Sequence, residues 1–212
     1  CEHDVSVITA LSVYNSIKEI CRILPIYVKN GTFYLCKKSL KIDKIRNFSQ
    51  KNFSEVAFAS GGMSLLGRKK KKIPIFCAVN CCHGGCGENG ALAGLLENAR
   101  IPQTSPGVYQ SALFMDKVFA KYFLEKRKIS VVPYRVVSKD DYYVAKELGF
   151  PLIVKPARQG SSIGIGVVEN EDKLPDAIDF AASFDDKIIV EKALVGFTEL
   201  NCAAYRKGND VI

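Results

Sequence analysis

Apolar side chains at Val7, Ala10/Leu11, Tyr14, Ile17, Cys21 and Leu24 repeat at the three-and-four spacing of one helix face, and predict an amphipathic helix over residues 6–24. Two short apolar runs, 26–28 and 32–36, flank Asn30-Gly31. That dipeptide supplies the two positive φ angles of a type I′ turn, so a β-hairpin is predicted. Residues 37–52 are polar, basic and weakly periodic, and read as loop with room for a short helix. Ser60-Gly61-Gly62 is turn-like. Residues 73–80 have the pattern of a short buried strand entering a glycine-rich loop, and 89–100 are helical until Ile101-Pro102 stops them.

Two prolines, a serine and a glycine mark 102–107 as the boundary between two lobes. One helix is predicted over 110–126, with Ala112, Met115, Phe119 and Tyr122/Phe123 on one face. A strand follows over 129–137, and Ser138-x-x-Asp141 opens a helix that closes at Gly149. Strands at 150–155 and 163–168 enclose a glycine/serine turn. A helix over 172–183 and strands over 188–192 and 200–205 follow, then a turn at 206–210. No strand precedes the first helix, and Val211-Ile212 is too short for a return strand. The chain is therefore expected to be truncated at both ends.

Composition narrows the class. Of 212 residues, 48% are hydrophobic and 25% charged, which excludes wholesale disorder. No apolar run reaches the roughly 18–20 residues of a membrane span. The first residues show neither a basic leader nor an apolar signal core, so a cytoplasmic protein with no membrane partner is expected. The net charge is +8, from 30 Lys+Arg against 22 Asp+Glu. Its one dense basic run, 68–72, is short and reads as a solvated loop, so the charge suits an anionic small molecule as well as a polynucleotide. Eight irregularly spaced cysteines read as reduced thiols. Cys77, Cys81, Cys82 and Cys86 surround His83 and raise a zinc reading, but no paired CxxC is present and four glycines crowd the loop.

The strongest chemical signal runs from Lys155 to Gly164, KPARQGSSIG, where an apolar strand delivers a lysine and a small-residue turn leads into a second strand. Adjacent serines between glycines offer backbone N–H groups and hydroxyls to an anion. A lysine on an apolar strand also calls for a compensating negative charge. This is not a P-loop, because GxxxxGK[ST] is absent and no helix follows. Alone it is also compatible with a tight hairpin bearing a surface lysine. Its companions are Met115-Asp116-Lys117 upstream and Glu191-Lys192-Ala193-Leu194 downstream. Two lysines neutralise a polyphosphate, while a carboxylate and strand backbone address a base and sugar. Taken singly, Lys117 fits a solvated helix face, Glu88 fits a helix start, and Glu2 is bland. His83, in a glycine-rich loop after a strand, reads as a ligand contact.

Together, Ser111–Lys117 (SALFMDK), Val154–Gly164 and Glu191–Leu194 resemble the nucleotide-binding segments of ATP-grasp enzymes, specifically the D-alanine–D-alanine ligase family. Glu2-His3-Asp4-Val5-Ser6 is similar to that family's acidic-x-acidic-Val-Ser segment, and His83–Gly90 (HGGCGENG) to its His-Gly-x-Gly-Gly-Glu-Asp-Gly loop, with departures at Cys86 and Asn89. The five motifs stand in family order across residues 2–199. The resemblance implies an α/β fold: a Rossmann-like N-terminal lobe over 1–103, a central ATP-grasp α+β lobe over 104–193, and the start of a C-terminal ATP-grasp portion over 194–212, the rest of it missing.

The resemblance also implies roles. Lys117 and Lys155 hold ATP phosphates, and Gly160, Ser161 and Ser162 form the flap over them. Glu191 accepts from the adenine amino group, and Lys192, Ala193 and Leu194 line the base by backbone. Glu199 reaches the ribose, although Gly196-Phe197-Thr198-Glu199 spaces it one residue beyond the commonest form. Glu2 holds the ammonium of the first D-alanine with help from Val5 and Ser6, and His83 contacts its carboxylate. Glu2 and Ser161 are the catalytic candidates. The expected partners are ATP and D-alanine, with no nucleic acid, and a homodimer of the full-length enzyme is allowed. Mg²⁺ is expected, but nothing here aligns with the family's metal-binding carboxylates, so no metal ligand is assigned and the chain alone is expected to be inactive. Other readings are a different ATP-grasp carboxylate–amine ligase, including one making D-alanyl-D-lactate, and a non-catalytic nucleotide-binding remnant.

Overall fold

The computed structural model describes residues 2–37, 45, 48–67 and 71–212; the basic positions 68–70 and most of the predicted loop at 38–47 lie outside them. The chain forms two compact units, Cys1–Val131 with Ala157–Ile163, and Val132–Pro156 with Gly164–Ile212.

The N-terminal unit opens with α1, His3–Ile17. It starts earlier and stops sooner than its apolar repeat predicts. Pro25 favours extended backbone at Leu24, so the last predicted turn cannot stay helical. A five-stranded sheet follows: β1 (Ile26–Lys29), β2 (Thr32–Cys36), β3 (Phe53–Ala59), β4 (Gly62–Leu65) and β5 (Lys72–Pro74), in that spatial order. The predicted β1–β2 hairpin is present in register Ile26↔Leu35 to Lys29↔Thr32, with Asn30 at φ 49° and Gly31 at φ 74°. Ser60 (φ 50°) and Gly61 (φ 77°) turn β3 into β4 the same way. Two-residue turns join only antiparallel neighbours. The unit is α/β, but its sheet pairs antiparallel throughout instead of in the parallel manner of a Rossmann-like lobe. Among the described residues, parallel pairing is confined to the bridge Ala78↔Gln103.

The strand predicted over 73–80 is therefore short. Pro74 ends its ladder, and Phe76 is 96% exposed. Helix α2, Ala91–Asn98, forms where predicted, and Leu96, Ala99 and Ile101 pack with Phe58, Ile75, Ala78 and Leu92.

The helix predicted over 110–126 is two helices, α3 (Val108–Met115) and α4 (Lys117–Lys126), broken at Asp116. Asp116 has extended backbone, and its carboxylate accepts from the N–H groups of Val118 (2.9 Å) and Phe119 (3.3 Å), an N-cap that starts a new helix. The apolar face expected for one continuous helix does not form: Phe119 and Tyr122 are half exposed, and Val118 is the buried residue of α4.

The C-terminal unit is an antiparallel sheet in order β6-β9-β7-β8, formed by Tyr134–Val137, Leu152–Pro156 (β7), Gly166–Val168 (β8) and Ile188–Lys192 (β9). Helix α5, Leu174–Ala182, covers one face. Leu174, Ile178 and Ala181 meet Val137, Leu152, Val154, Val168, Ile188 and Val190 in one core. A helix on one face of an antiparallel sheet is the α+β arrangement expected of the second lobe. The strand predicted over 129–137 is confined to its second half. Lys128 has φ 60°, and Pro133 has no N–H for a ladder. In place of the helix predicted over 138–149 there is a 3₁₀ segment, Tyr143–Leu148, which Gly149 ends at φ 69°. Residues 200–205 do not form a strand. Pairing runs closer to the tip, β10 (Arg206–Lys207) against β11 (Asp210–Val211), with Gly208 at φ 63° in the turn.

Candidate functional site

In the N-terminal unit the candidate residues gather around the first turn of α1. Ser6 donates its hydroxyl to the Glu2 carbonyl (3.0 Å), and Ser6 Oγ accepts the backbone N–H of His83 (2.9 Å). Ser6 thus ties the glycine-rich loop to the helix that carries Glu2. Asn80 orders the loop itself: its amide donates to the Gly87 carbonyl (2.8 Å) and its carbonyl accepts from the Cys82 N–H (2.9 Å). Gly84, at φ 69°, lies so close to the Glu2 carboxylate that a Cβ there would collide with it. Glu2 also accepts the hydroxyl of Ser161. Val5, by contrast, points its side chain outward, half exposed.

The 157–163 segment belongs to this unit, and Lys117 holds it. The Lys117 N–H donates to the Ala157 carbonyl (3.0 Å), and its ammonium donates to the carbonyls of Ala157 (3.5 Å) and Gln159. Asp116 places Lys117 at the first position of α4, so the helix break serves the loop. Ser161 (φ 49°) and Ser162 (φ 58°) both occupy the left-handed region, which is unfavourable for residues with a Cβ. Consecutive strained serines are of the kind found at ligand clamps. Gly160 and both serines are exposed.

In the C-terminal unit, register fixes the geometry. Ile153 faces Glu191 and Lys155 faces Ile189 across the β7–β9 ladder, while Leu152, Val154, Ile188 and Val190 enter the core under α5. Lys155 and Glu191 therefore share the face opposite the helix and meet in an ion pair of 2.6 Å, with side chains 19% and 11% exposed. Lys192 points elsewhere: its ammonium donates to the carbonyls of Gly149 (3.0 Å) and Phe150 (2.7 Å). The N–H groups of Lys192 and Ala193 are also spent within the unit, on Pro133 and Pro151. Leu194 and Glu199 are exposed.

Two residues outside the catalytic and binding set complete the His83 environment. Thr9 Oγ1 lies 2.8 Å from His83 Nε2, and Glu88 Oε1 lies 3.6 Å from Nδ1. The signal for Thr9 was in the pattern: Glu2, Ser6 and Thr9 are polar at i, i+4 and i+7 on one helix face. Burial pushes the Cys81 and Cys82 thiols above their ordinary range, and for Cys82 the neighbouring Cys81 adds to the shift. Among the described residues no group of three or more His, Cys, Asp or Glu side chains is arranged to hold a metal ion, and the seven described cysteines are all free thiols. No described helix is long and apolar enough to cross a membrane.

Comparison with known proteins adds an independent line. The family model for the D-ala D-ala ligase N-terminus matches residues 1–106, and that for the D-ala D-ala ligase C-terminus matches 123–212. A D-alanine--D-alanine ligase of Thermosipho africanus is 37% identical over 223 aligned residues, covering 100% of this chain and 60% of the relative. The crystal structure of the ligase from Helicobacter pylori superposes with a TM-score of 0.89 at 29% identity, covering 100% of this chain and 69% of that one. A Bacillus anthracis D-alanine--D-alanine ligase complexed with ATP matches 56% of this chain and 40% of its own, with a TM-score of 0.51 at 29% identity. The chain spans about 60% of the length of the curated relatives it matches.

Proposed function

The chain belongs to the D-alanine–D-alanine ligase family, and on that premise we propose that it carries the first substrate site and nucleotide-binding residues of a ligase that forms D-alanyl-D-alanine from ATP and D-alanine for peptidoglycan synthesis. The observation that carries this reading is the meeting of Glu2 with Ser161, 159 positions apart in the sequence, beside a loop that Ser6 ties to the same helix turn.

In this reading the Glu2 carboxylate accepts the ammonium of the first D-alanine, and Ser6 acts by holding His83 and Glu2 together. Ser161 orients Glu2. Lys155 and Lys117 are each assigned to ATP phosphates, and Gly160, Ser161 and Ser162 to the phosphate flap. Lys117 is placed for this by its ammonium, which donates to the carbonyls of Ala157 and Gln159 at the base of the Gly160–Ser162 segment. Lys155 is paired with Glu191 and has further N–H donors for a phosphate oxygen, while Glu191 is assigned to the adenine amino group. Ala193, Leu194 and the Lys192 backbone line the base, and Glu199 meets the ribose. The lobes proposed on this basis are 1–103, 104–193 and 194–212.

The chemistry is carboxylate activation. An oxygen of the first D-alanine attacks the γ-phosphorus and ADP leaves, giving D-alanyl phosphate. The amine of the second D-alanine then attacks the acyl carbon, loses a proton and expels phosphate. Positioning and charge neutralisation supply most of the acceleration in such transfers. The described residues offer no fitting set of Mg²⁺ ligands, so no step is assigned to that ion.

Equilibrium titration of the chain with ATP and with D-alanine tests the proposal. Saturable binding of both is expected, with Lys155→Met weakening ATP at least about tenfold and Glu2→Gln weakening D-alanine by a similar factor, the size of one lost charge-assisted contact. Failure to bind either ligand would sink it.

A further inference from the structure

Both ring nitrogens of His83 have a neighbour. Nε2 is 2.8 Å from the Thr9 hydroxyl, a normal hydrogen bond, whereas Nδ1 is 3.6 Å from the Glu88 carboxylate, beyond one. A carboxylate only accepts, so at that distance its negative charge favours an N–H on Nδ1 over a lone pair. With the proton on Nδ1, neutral imidazole leaves a lone pair on Nε2, and the Thr9 hydroxyl is the donor that satisfies it. In water the neutral ring prefers the opposite form, with its proton on Nε2. The hydrogen bond made by one ring nitrogen decides where the other carries its proton.

We propose that Thr9 is a positioning residue: its hydroxyl donates to His83 Nε2, locks the imidazole as the Nδ1–H tautomer, and so presents Nδ1–H as the donor for a substrate carboxylate. Glu88 draws that N–H toward itself from a distance that leaves it unsaturated. The ring cannot swing away, because Ser6 anchors the His83 backbone N–H and Thr9 anchors Nε2, both from α1. The identity of the carboxylate, that of the first D-alanine, rests on the ligase reading; the tautomer does not.

The chain has two histidines, His3 and His83, which makes the test direct. Two-bond ¹H–¹⁵N correlation spectra of the ¹⁵N-labelled chain, recorded above the histidine titration range, distinguish the tautomers, and His83→Gln assigns the signals. Wild type should show a pyrrole-type Nδ1 and a pyridine-type Nε2 for His83. Thr9→Val should lose that pattern in favour of the reverse, Thr9→Ser should retain it, and His3 should stay unchanged as the sign of an intact fold. A wild-type His83 with its proton on Nε2 overturns the proposal without any variant, as does a Thr9→Val spectrum identical to wild type. Added D-alanine should then shift Nδ1 in wild type, with affinity about three- to tenfold weaker in Thr9→Val, the loss of one hydrogen bond. A His83 in the expected tautomer that ignores D-alanine would leave the role of Thr9 standing and count against the ligase reading.

Discussion

Lys155 and Glu191 stand on neighbouring strands whose other face is closed to water, with Leu152, Val154, Ile188 and Val190 entirely buried under α5. Glu2, Ser6, Thr9, His83 and Ser161 stand instead on the first two turns of α1 and on two loops. Val7 is the buried residue of α1, and it retains 9% exposure. In the C-terminal unit strand register alone fixes the polar pair. In the N-terminal unit a relay of hydrogen bonds does the same work, and each link, of modest net worth, is replaceable by water. The first arrangement is rigid because it is packed. The second is ordered only while its relay is complete.

The sharpest way to break this contrast is to cut into each core. Ile178→Ala removes a fully buried side chain of α5 and should cost about 3–4 kcal/mol in denaturant unfolding of the chain, through lost transfer energy and the cavity left behind. Val7→Ala should cost about 1 kcal/mol, because fewer atoms are lost and the site is not closed. Equal losses would show that α1 is held by packing after all.

A smaller effect is expected from the ion pair. Glu191→Leu leaves the Lys155 ammonium without its carboxylate at 19% exposure, and should destabilise by about 2 kcal/mol, below the loss for a fully buried pair. Lys155→Met added to it should restore most of that, since a hydrophobic pair over a dry sheet carries no desolvation penalty. Ser6→Ala, which cuts the relay, should cost about 1 kcal/mol and find no single rescuing partner. A double variant no better than Glu191→Leu would mean that packing, not charge, dominates at Lys155.

Legibility in the sequence divides along similar lines. Where a turn dictates geometry the reading was local and sound, as at Asn30-Gly31 and at Gly149. The strands β7 and β9 are legible because their apolar runs are largely buried, and β8 because it returns from the glycine/serine turn. What lay hidden was set by tertiary partners. The apolar spacing around Met115 continues through Asp116, and only the capping of Val118 and Phe119 turns one helix into two. Residues 53–65 carry Phe53, Val56 and Met63 on either side of a visible turn, yet their pairing as β3 and β4 was not predicted, because Ser54, Glu55 and Ser64 dilute the alternation. The candidate site residues stand out in the sequence by their motifs and not one by one, since Glu2 alone is bland and Lys117 alone fits a solvated helix face. The link from Thr9 to His83 was not, because nothing local joins residues 74 positions apart.

The smallest effect bears on the loop that carries His83. Burial raises the Cys81 and Cys82 thiols, and the thiolate is the reactive form, so both should be alkylated more slowly than the exposed Cys21, Cys77 and Cys202. A difference of about three- to tenfold in iodoacetamide labelling near pH 8, read by peptide mass spectrometry, is expected. The same shift has a sign in stability. The folded chain keeps these protons at a pH where the unfolded chain has released them, so stability falls as pH rises through the folded-state thiol range. Asn80→Ala removes the two hydrogen bonds that order the loop and should bring both rates up to those of the exposed cysteines. If Asn80→Ala leaves the rates unchanged, the loop is held by something other than its relay, and the contrast between the two units loses its clearest N-terminal example.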